Sequence, residues 1–159
     1  MALFRCASGS GGGGGGSLKA LIPSMTADTT PSGKVTYSVN SSYPAYQAFK
    51  RTIQSGWWIA GSAYANNWIK YEFDSPVIAQ MAMWMIAGNS DVGSQTITIE
   101  ASNDDTNYVP LVSSEQVTYC FNYIELNNST AYKYYKFTVN SSTVNTGTTG
   151  VNIQLFGSE

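Results

Sequence analysis

The chain contains no histidine. This removes Ser-His-Asp and Cys-His nucleophile arrangements, and any zinc or iron site that needs an imidazole. The 10 acidic residues are scattered, and no two stand in a constellation that would serve as a general acid and base. No catalytic residue is assigned, and a non-enzyme is expected. The residue types that remain suit binding. Sugar recognition needs an aromatic face to stack on the apolar C–H face of a ring, and neutral amides or carboxylates to satisfy hydroxyls with directional hydrogen bonds. Trp57, Trp58, Tyr64, Asn66 and Asn67 meet both needs within a Gly/Ala/Ser-rich stretch.

Other stretches offer the same chemistry with a structural alternative beside it. In Tyr119-Cys120-Phe121-Asn122-Tyr123, alternation places Tyr119, Phe121 and Tyr123 on one face, as either a ligand platform or a plain strand. Gly88 to Gly93 is a polar segment after an apolar run, supplying Asn89 and Asp91 as ligand groups or forming a mere turn. Met81, Met83 and Met85 alternate and read as a core stripe. Trp68 also reads as core. The Asn103-to-Asn107 acidic run looks superficially like a calcium loop and reads as a hairpin turn.

These residues sit in a chain of 159 residues, enough for one domain with a substantial core. Hydrophobic residues make up 43% and charged residues only 11%, with Ser, Thr, Asn and Gly filling the difference. That mixture suits short strands, many turns and an uncharged polar surface. A net charge of −2 gives no electrostatic reason to expect nucleic acid or an anionic membrane. Cys6 and Cys120 could pair or remain separate thiols, so they do not define a redox compartment.

Residues 1–17 form an N-terminal arm, nearly all Gly and Ser from Ser8 to Ser17. A tether is the default for a segment with nothing to bury, and a glycine-rich docking arm is the alternative. Residues 18–159 form the domain. Asn67 to Phe73 alternates, with Ile69, Tyr71 and Phe73 on one face, and Asp74-Ser75-Pro76 is expected to end that strand. Val77 to Ala87 is apolar on both faces, like a central strand covered on both sides. Ile97, Ile99 and Ala101 point inward, as do Tyr135, Phe137 and Val139, and Val151, Ile153 and Leu155. Asn140 to Gly150 is a long polar loop, and Ala45 to Ile53 holds a short helical turn at most. The class is all-β. The start at Met1 lacks the apolar core of a signal peptide, and no run is long enough to span a bilayer.

Residues 41–73 (SSYPAYQAFKRTIQSGWWIAGSAYANNWIKYEF), 97–111 (ITIEASNDDTNYVPL) and 132–157 (YKYYKFTV, then VNIQLFG) resemble, in order, the discoidin or coagulation-factor C-type domains, which include many galactose-binding modules. The resemblance implies an eight-stranded antiparallel jelly-roll β-sandwich with its binding surface in the loops at one end. Many such domains bind sugars, and others bind phospholipid heads or proteins. One of Trp57 and Trp58 would then plug the end of the sandwich and the other would face away. Sugar-binding members often hold a structural calcium. The matching positions here are Lys50, Ser55 and Asn152, and an ammonium in that place repels the ion, so no cofactor is expected. The implied ligand is a glycan or other cell-surface molecule. The Met1 start, the missing export signal and the glycine arm suggest a virion component such as a phage tail, fibre or head-decoration subunit, attached through its arm to a protein partner. A purely structural subunit without a sugar ligand is the alternative.

Overall fold

The computed structural model describes residues 17–38, 44–51, 66–87, 94–118, 120–143 and 150–158. Their alternating residues build nine strands: β1 (Lys19–Ala20), β2 (Lys34–Tyr37), β3 (Asn67–Val77), β4 (Met81–Ala87), β5 (Ser94–Ser102), β6 (Val109–Thr118), β7 (Cys120–Glu125), β8 (Tyr132–Ser142) and β9 (Gly150–Gly157). A 3-10 turn, Ala45–Phe49, follows β2. The strands form a four-stranded sheet in the order β1-β9-β4-β7 and a five-stranded sheet in the order β2-β3-β8-β5-β6. Every pairing is antiparallel. The expected jelly-roll sandwich is present, with the two-residue β1 added at one edge.

Period-2 alternation explains the core. Ile69, Tyr71, Ile97, Ile99, Ala101, Tyr135, Phe137, Val139, Val151, Ile153 and Leu155 are all buried, as their alternation predicts. Aromatic rings chain through the space between the sheets: Phe49 meets Tyr71 at 5.4 Å, Tyr71 meets Phe73 at 4.7 Å, and Trp84 meets Phe137 at 6.3 Å. The first two are edge-to-face and the third is tilted, and such contacts add to the area that the rings bury. Trp84 Nε1 also donates to Gln95 Oε1 at 3.0 Å, a buried bond joining the two sheets. Tyr71 donates its hydroxyl to the Ser32 carbonyl at 2.7 Å, and burial pushes its pKa up to about 12 despite that bond.

Several features differ from the sequence expectations. Val77 to Ala87 is not one strand, since Val77 ends β3 and β4 begins at Met81, and the expected loop from Asn140 to Gly150 is narrower, since β8 runs to Ser142 and β9 begins at Gly150. β3 does not stop at Asp74. It runs through Pro76 to Val77, with its pairing to β8 irregular between Glu72 and Val77. A proline is tolerated where the ladder is already interrupted and no N–H is required. Trp68 is not core. Asn67, Ile69 and Tyr71 take the inward positions of β3, so Trp68 is half-buried on the outer face with Lys70 and Glu72. Met83 and Met85 are buried but do not belong to the inter-sheet core. Ala82, Trp84 and Ile86 fill that side of β4, leaving the methionines on the outer face of the four-stranded sheet.

Candidate functional site

Trp57, Trp58, Tyr64, Asn89, Asp91 and Tyr119 lie outside the described residues, as does Cys6. The described residues next to Tyr64, Asn89, Asp91 and Tyr119 converge on one end of the sandwich. Asn66 precedes β3 in a left-handed conformation (φ 66°), which asparagine tolerates better than most residues. It is exposed, and its N–H donates to the Val139 carbonyl at 2.7 Å. Asn67 is 8% exposed and accepts a long contact from Ser38 Oγ at 3.4 Å, so its amide sits at the rim of the core rather than on the surface. Residues 88–93 leave from Ala87, opposite Gly150, and return at Ser94, opposite Thr118. Thr143 N–H donates to the Ser94 carbonyl at 2.9 Å, and Ser94 N–H donates to Thr143 Oγ1 at 3.0 Å. Ala87, Ser94, Thr118, Cys120, Thr143 and Gly150 therefore lie at one end of the sandwich.

From that end, β7 runs down the margin of the four-stranded sheet. Its position is held by Asn122, whose amide donates to the Trp84 carbonyl at 3.1 Å and the Thr118 carbonyl at 2.8 Å. With Asn122 on one side, alternation turns Phe121 and Tyr123 to the other, opposite Met85 and Met83. Phe121 is 38% exposed and Tyr123 57%, whereas Met83 and Met85 beside them are buried. Phe121 and Tyr123 share a face on the surface, and Tyr119, expected beside them, lies outside the described residues. Phe121 was recognisable as part of the face but carried no role of its own. Glu125 continues the same alternation opposite Met81, and no spacing signal in the sequence ties it to the rings.

The five-stranded sheet presents a different outer face. Lys70 Nζ lies 2.6 Å from Asp105, Lys136 Nζ 2.7 Å from Glu100, and Lys133 Nζ 3.0 Å from Glu72. The ammonium groups also cover rings: Lys70 lies 5.8 Å from the centre of Trp68 and 5.5 Å from Tyr134, and Lys136 lies 4.1 Å from Tyr108. Tyr108 donates its hydroxyl to Asp105. Burial raises the Tyr108 pKa above the usual range, and the Asp105 and Glu100 carboxylates raise it further. Burial works against the charged form of Asp105, but hydrogen bonds from Lys70 and Tyr108 and the nearby ammoniums outweigh it and hold the carboxyl below its ordinary value. The preceding residue, Asp104, accepts from the Asn107 side chain, the Asn107 and Thr106 N–H groups and the Ser102 hydroxyl, which lowers its pKa strongly. These bonds account for the acidic run as a hairpin turn.

The calcium-matched positions offer a poor donor set. Lys50 is exposed at the end of the 3-10 turn, Asn152 is a buried neutral amide, and Ser55 lies outside the described residues. Beside Lys50, the Arg51 guanidinium donates to the Ile22 carbonyl, which also accepts from Gln154 Nε2 at 2.9 Å. Two cationic side chains and an amide do not suit a hard divalent ion that seeks several oxygens. Among the described residues no group of three or more His, Cys, Asp or Glu is placed to hold a metal. No described helix is long and apolar enough to cross a membrane.

No family model matches the chain, and no curated protein matches it. Solved structures do. The chain is similar to CpGH89CBM32-6 produced by Clostridium perfringens, with a TM-score of 0.62 and 16% identity over 79% of this chain and 94% of that one. It is similar to chitosan-binding module 1 from a chitosanase/glucanase of Paenibacillus sp. IK-5, with a TM-score of 0.63 and 15% identity over 79% and 95% of the two chains. The CBM32 module of AlyQ in complex with 4,5-unsaturated mannuronic acid gives a TM-score of 0.58 and 15% identity over 84% and 99%. At such identities the likeness is one of architecture: the chain has the galactose-binding-like jelly-roll β-sandwich of the CBM32 carbohydrate-binding modules.

Proposed function

We propose that the chain is a non-catalytic carbohydrate-binding module that takes its ligand at the loop end of the sandwich. The observation that carries this reading is that Asn66, Ala87, Ser94, Thr118, Thr143 and Gly150, which border candidate segments, lie at one end of a fold shared with sugar-binding modules. The exposed member of Trp57 and Trp58, with Tyr64, would stack on sugar rings. Asn66, Asn89 and Asp91 would meet hydroxyls, with Asn67 behind them at the rim of the core, and Tyr119 and Tyr123 would extend the aromatic surface. A single such site is weak, about −4 kcal/mol at a millimolar Kd, so several copies presented together are needed for firm attachment. The test is a broad glycan array probed with a multivalent form of the protein. Titration of the hits against Trp57→Ala, Trp58→Ala and Tyr64→Ala follows, using variants that melt normally. Binding lost with one or two of these supports the reading. Silence across the array with an intact fold favours a structural subunit.

A place on a virion or extracellular surface, with residues 1–17 as a tether to a protein partner, extends this proposal. Deleting residues 1–17 is expected to leave the melting temperature unchanged while reducing attachment to that partner. Loss of folding would instead put the arm in the core or in an oligomer interface.

A further inference from the structure

We propose that Phe121, Tyr123 and Glu125 form a sugar subsite on the sheet face that selects amino sugars carrying a free ammonium group. The proposal rests on the carbohydrate-binding reading above. The three residues occupy successive outward positions of β7, opposite Met85, Met83 and Met81. At about 3.3 Å per residue the row runs roughly 13 Å from Phe121 to Glu125, room for an oligosaccharide rather than one ring. Beside the row, Met83, Met85, Asn152 and Gln154 are all at or below 9% exposed, Met81 and Phe156 are half-buried, and β1 at the far edge is exposed.

The electrostatics of the row specify the ligand. The other outward positions of β4 and β9 hold methionine, amides and Phe156, and Glu125 is exposed. Lys70, Lys133 and Lys136 lie on the other sheet and are matched to Asp105, Glu72 and Glu100, and Lys19 stands on β1, at the opposite edge of this sheet from β7. Among the described residues no ammonium or guanidinium bonds Glu125. The row therefore offers two uncovered rings and one carboxylate with no cation. A neutral sugar would stack without using the carboxylate, and a uronate would be repelled by it. A ring stacked on Tyr123 with a free amine would gain a charge-assisted hydrogen bond one outward position farther on.

The test titrates the intact protein with length-matched oligomers of glucosamine, N-acetylglucosamine and a uronic acid, at low and high salt. Glucosamine oligomers should bind roughly tenfold tighter than the acetylated ones, since a hydrogen bond to a charged group contributes that much or more. Salt should erode the preference because the pair is exposed. Glu125→Gln should abolish the preference and leave binding of the acetylated oligomer unchanged. Tyr123→Ala should weaken both roughly thirtyfold. Equal affinity for the two oligomers, or no effect of Glu125→Gln, overturns the selectivity while array binding elsewhere keeps the carbohydrate reading. No binding to any glycan overturns both. A concentration-dependent dimer in light scattering that Tyr123→Ala dissociates overturns the subsite in favour of self-association.

Discussion

On the five-stranded sheet, Lys70, Lys133 and Lys136 each lie within 3.0 Å of a carboxylate, and their ammoniums lie over Trp68, Tyr108 and Tyr134. On the four-stranded sheet, the outward positions of β4 and β7 hold Met81, Met83, Met85, Phe121 and Tyr123, with Glu125 the charged residue of that set. Both faces arise from the same alternation, and both carry aromatic side chains. What separates them is whether long cationic stems stand beside the rings. A lysine stem packs along an apolar surface while its head finds an acid, so it closes a ring off from ligand. Where the neighbours are methionine and amides, no described lysine or arginine covers the rings. Aromatic content is thus a poor guide to a sugar platform unless the charges on adjacent strands are read with it.

The comparison can be broken first at the wall the two sheets share. Trp84→Ala removes a ring 1% exposed and its bond to Gln95. It should cost about 3–5 kcal/mol, measured as a fall in the urea midpoint. A cost below about 1 kcal/mol would mean the sheets are not held together there. The next largest effect is alkaline. The folded state keeps Tyr71 neutral up to about 12, while an unfolded tyrosine ionises near 10.0. Stability from this residue is therefore complete below pH 10, is lost as pH rises toward 12, and amounts to about 2–3 kcal/mol. Tyr71→Phe should be flatter than wild type across that window, though slightly weaker at neutral pH for want of the bond to Ser32.

Asp105→Ala tests the paired face. Lys70 is 12% exposed and stands opposite Lys136, so removing Asp105 leaves neighbouring ammoniums unscreened. Asp105 itself is 41% exposed, which keeps the cost to about 1–2 kcal/mol. Adding Lys70→Met should recover most of it, and glycan binding should not change in either variant. On the other face, Tyr123→Ala should move stability by no more than about 0.5 kcal/mol while weakening binding, the reverse signature. The smallest effect concerns metal. A chelator should leave the melting temperature unmoved, because a metal held by the folded state would raise it by mass action. A drop would show that residues other than Lys50 and Asn152 assemble a site.

Much of the fold was legible because strand period and burial are tied together. Ile97, Ile99 and Ala101, or Val151, Ile153 and Leu155, declare their inward face from sequence spacing. The same rule, applied strictly, puts Trp68 outside, since Ile69 and Tyr71 take the inward positions. A large apolar side chain such as Trp68 can lie on the outer face, half-buried, when the period requires it. The methionine stripe shows the converse: alternation placed all three on one face, but only pairing with β7 and β9 shows which face that is. For the candidate site, Asn66 and Tyr123 were legible as exposed polar and aromatic groups, whereas the buried position of Asn67 depends on Ser38 and on the end of β3.

The amino-acid sequence by itself determined the all-β class, the inward residues of most strands, the hairpin at Asn103–Asn107 and the poverty of titratable chemistry. Each of these follows from local period, turn preference or composition. Tertiary structure decided what depends on residues far apart in the chain. Asp105 reaches Lys70 across 35 positions, Trp84 meets Gln95 through the sheet interface, and β7 lies against β4 at the margin of its sheet. Whether a ring is covered or open is set by which strand becomes its neighbour, and that pairing is chosen by the packing of the whole sandwich.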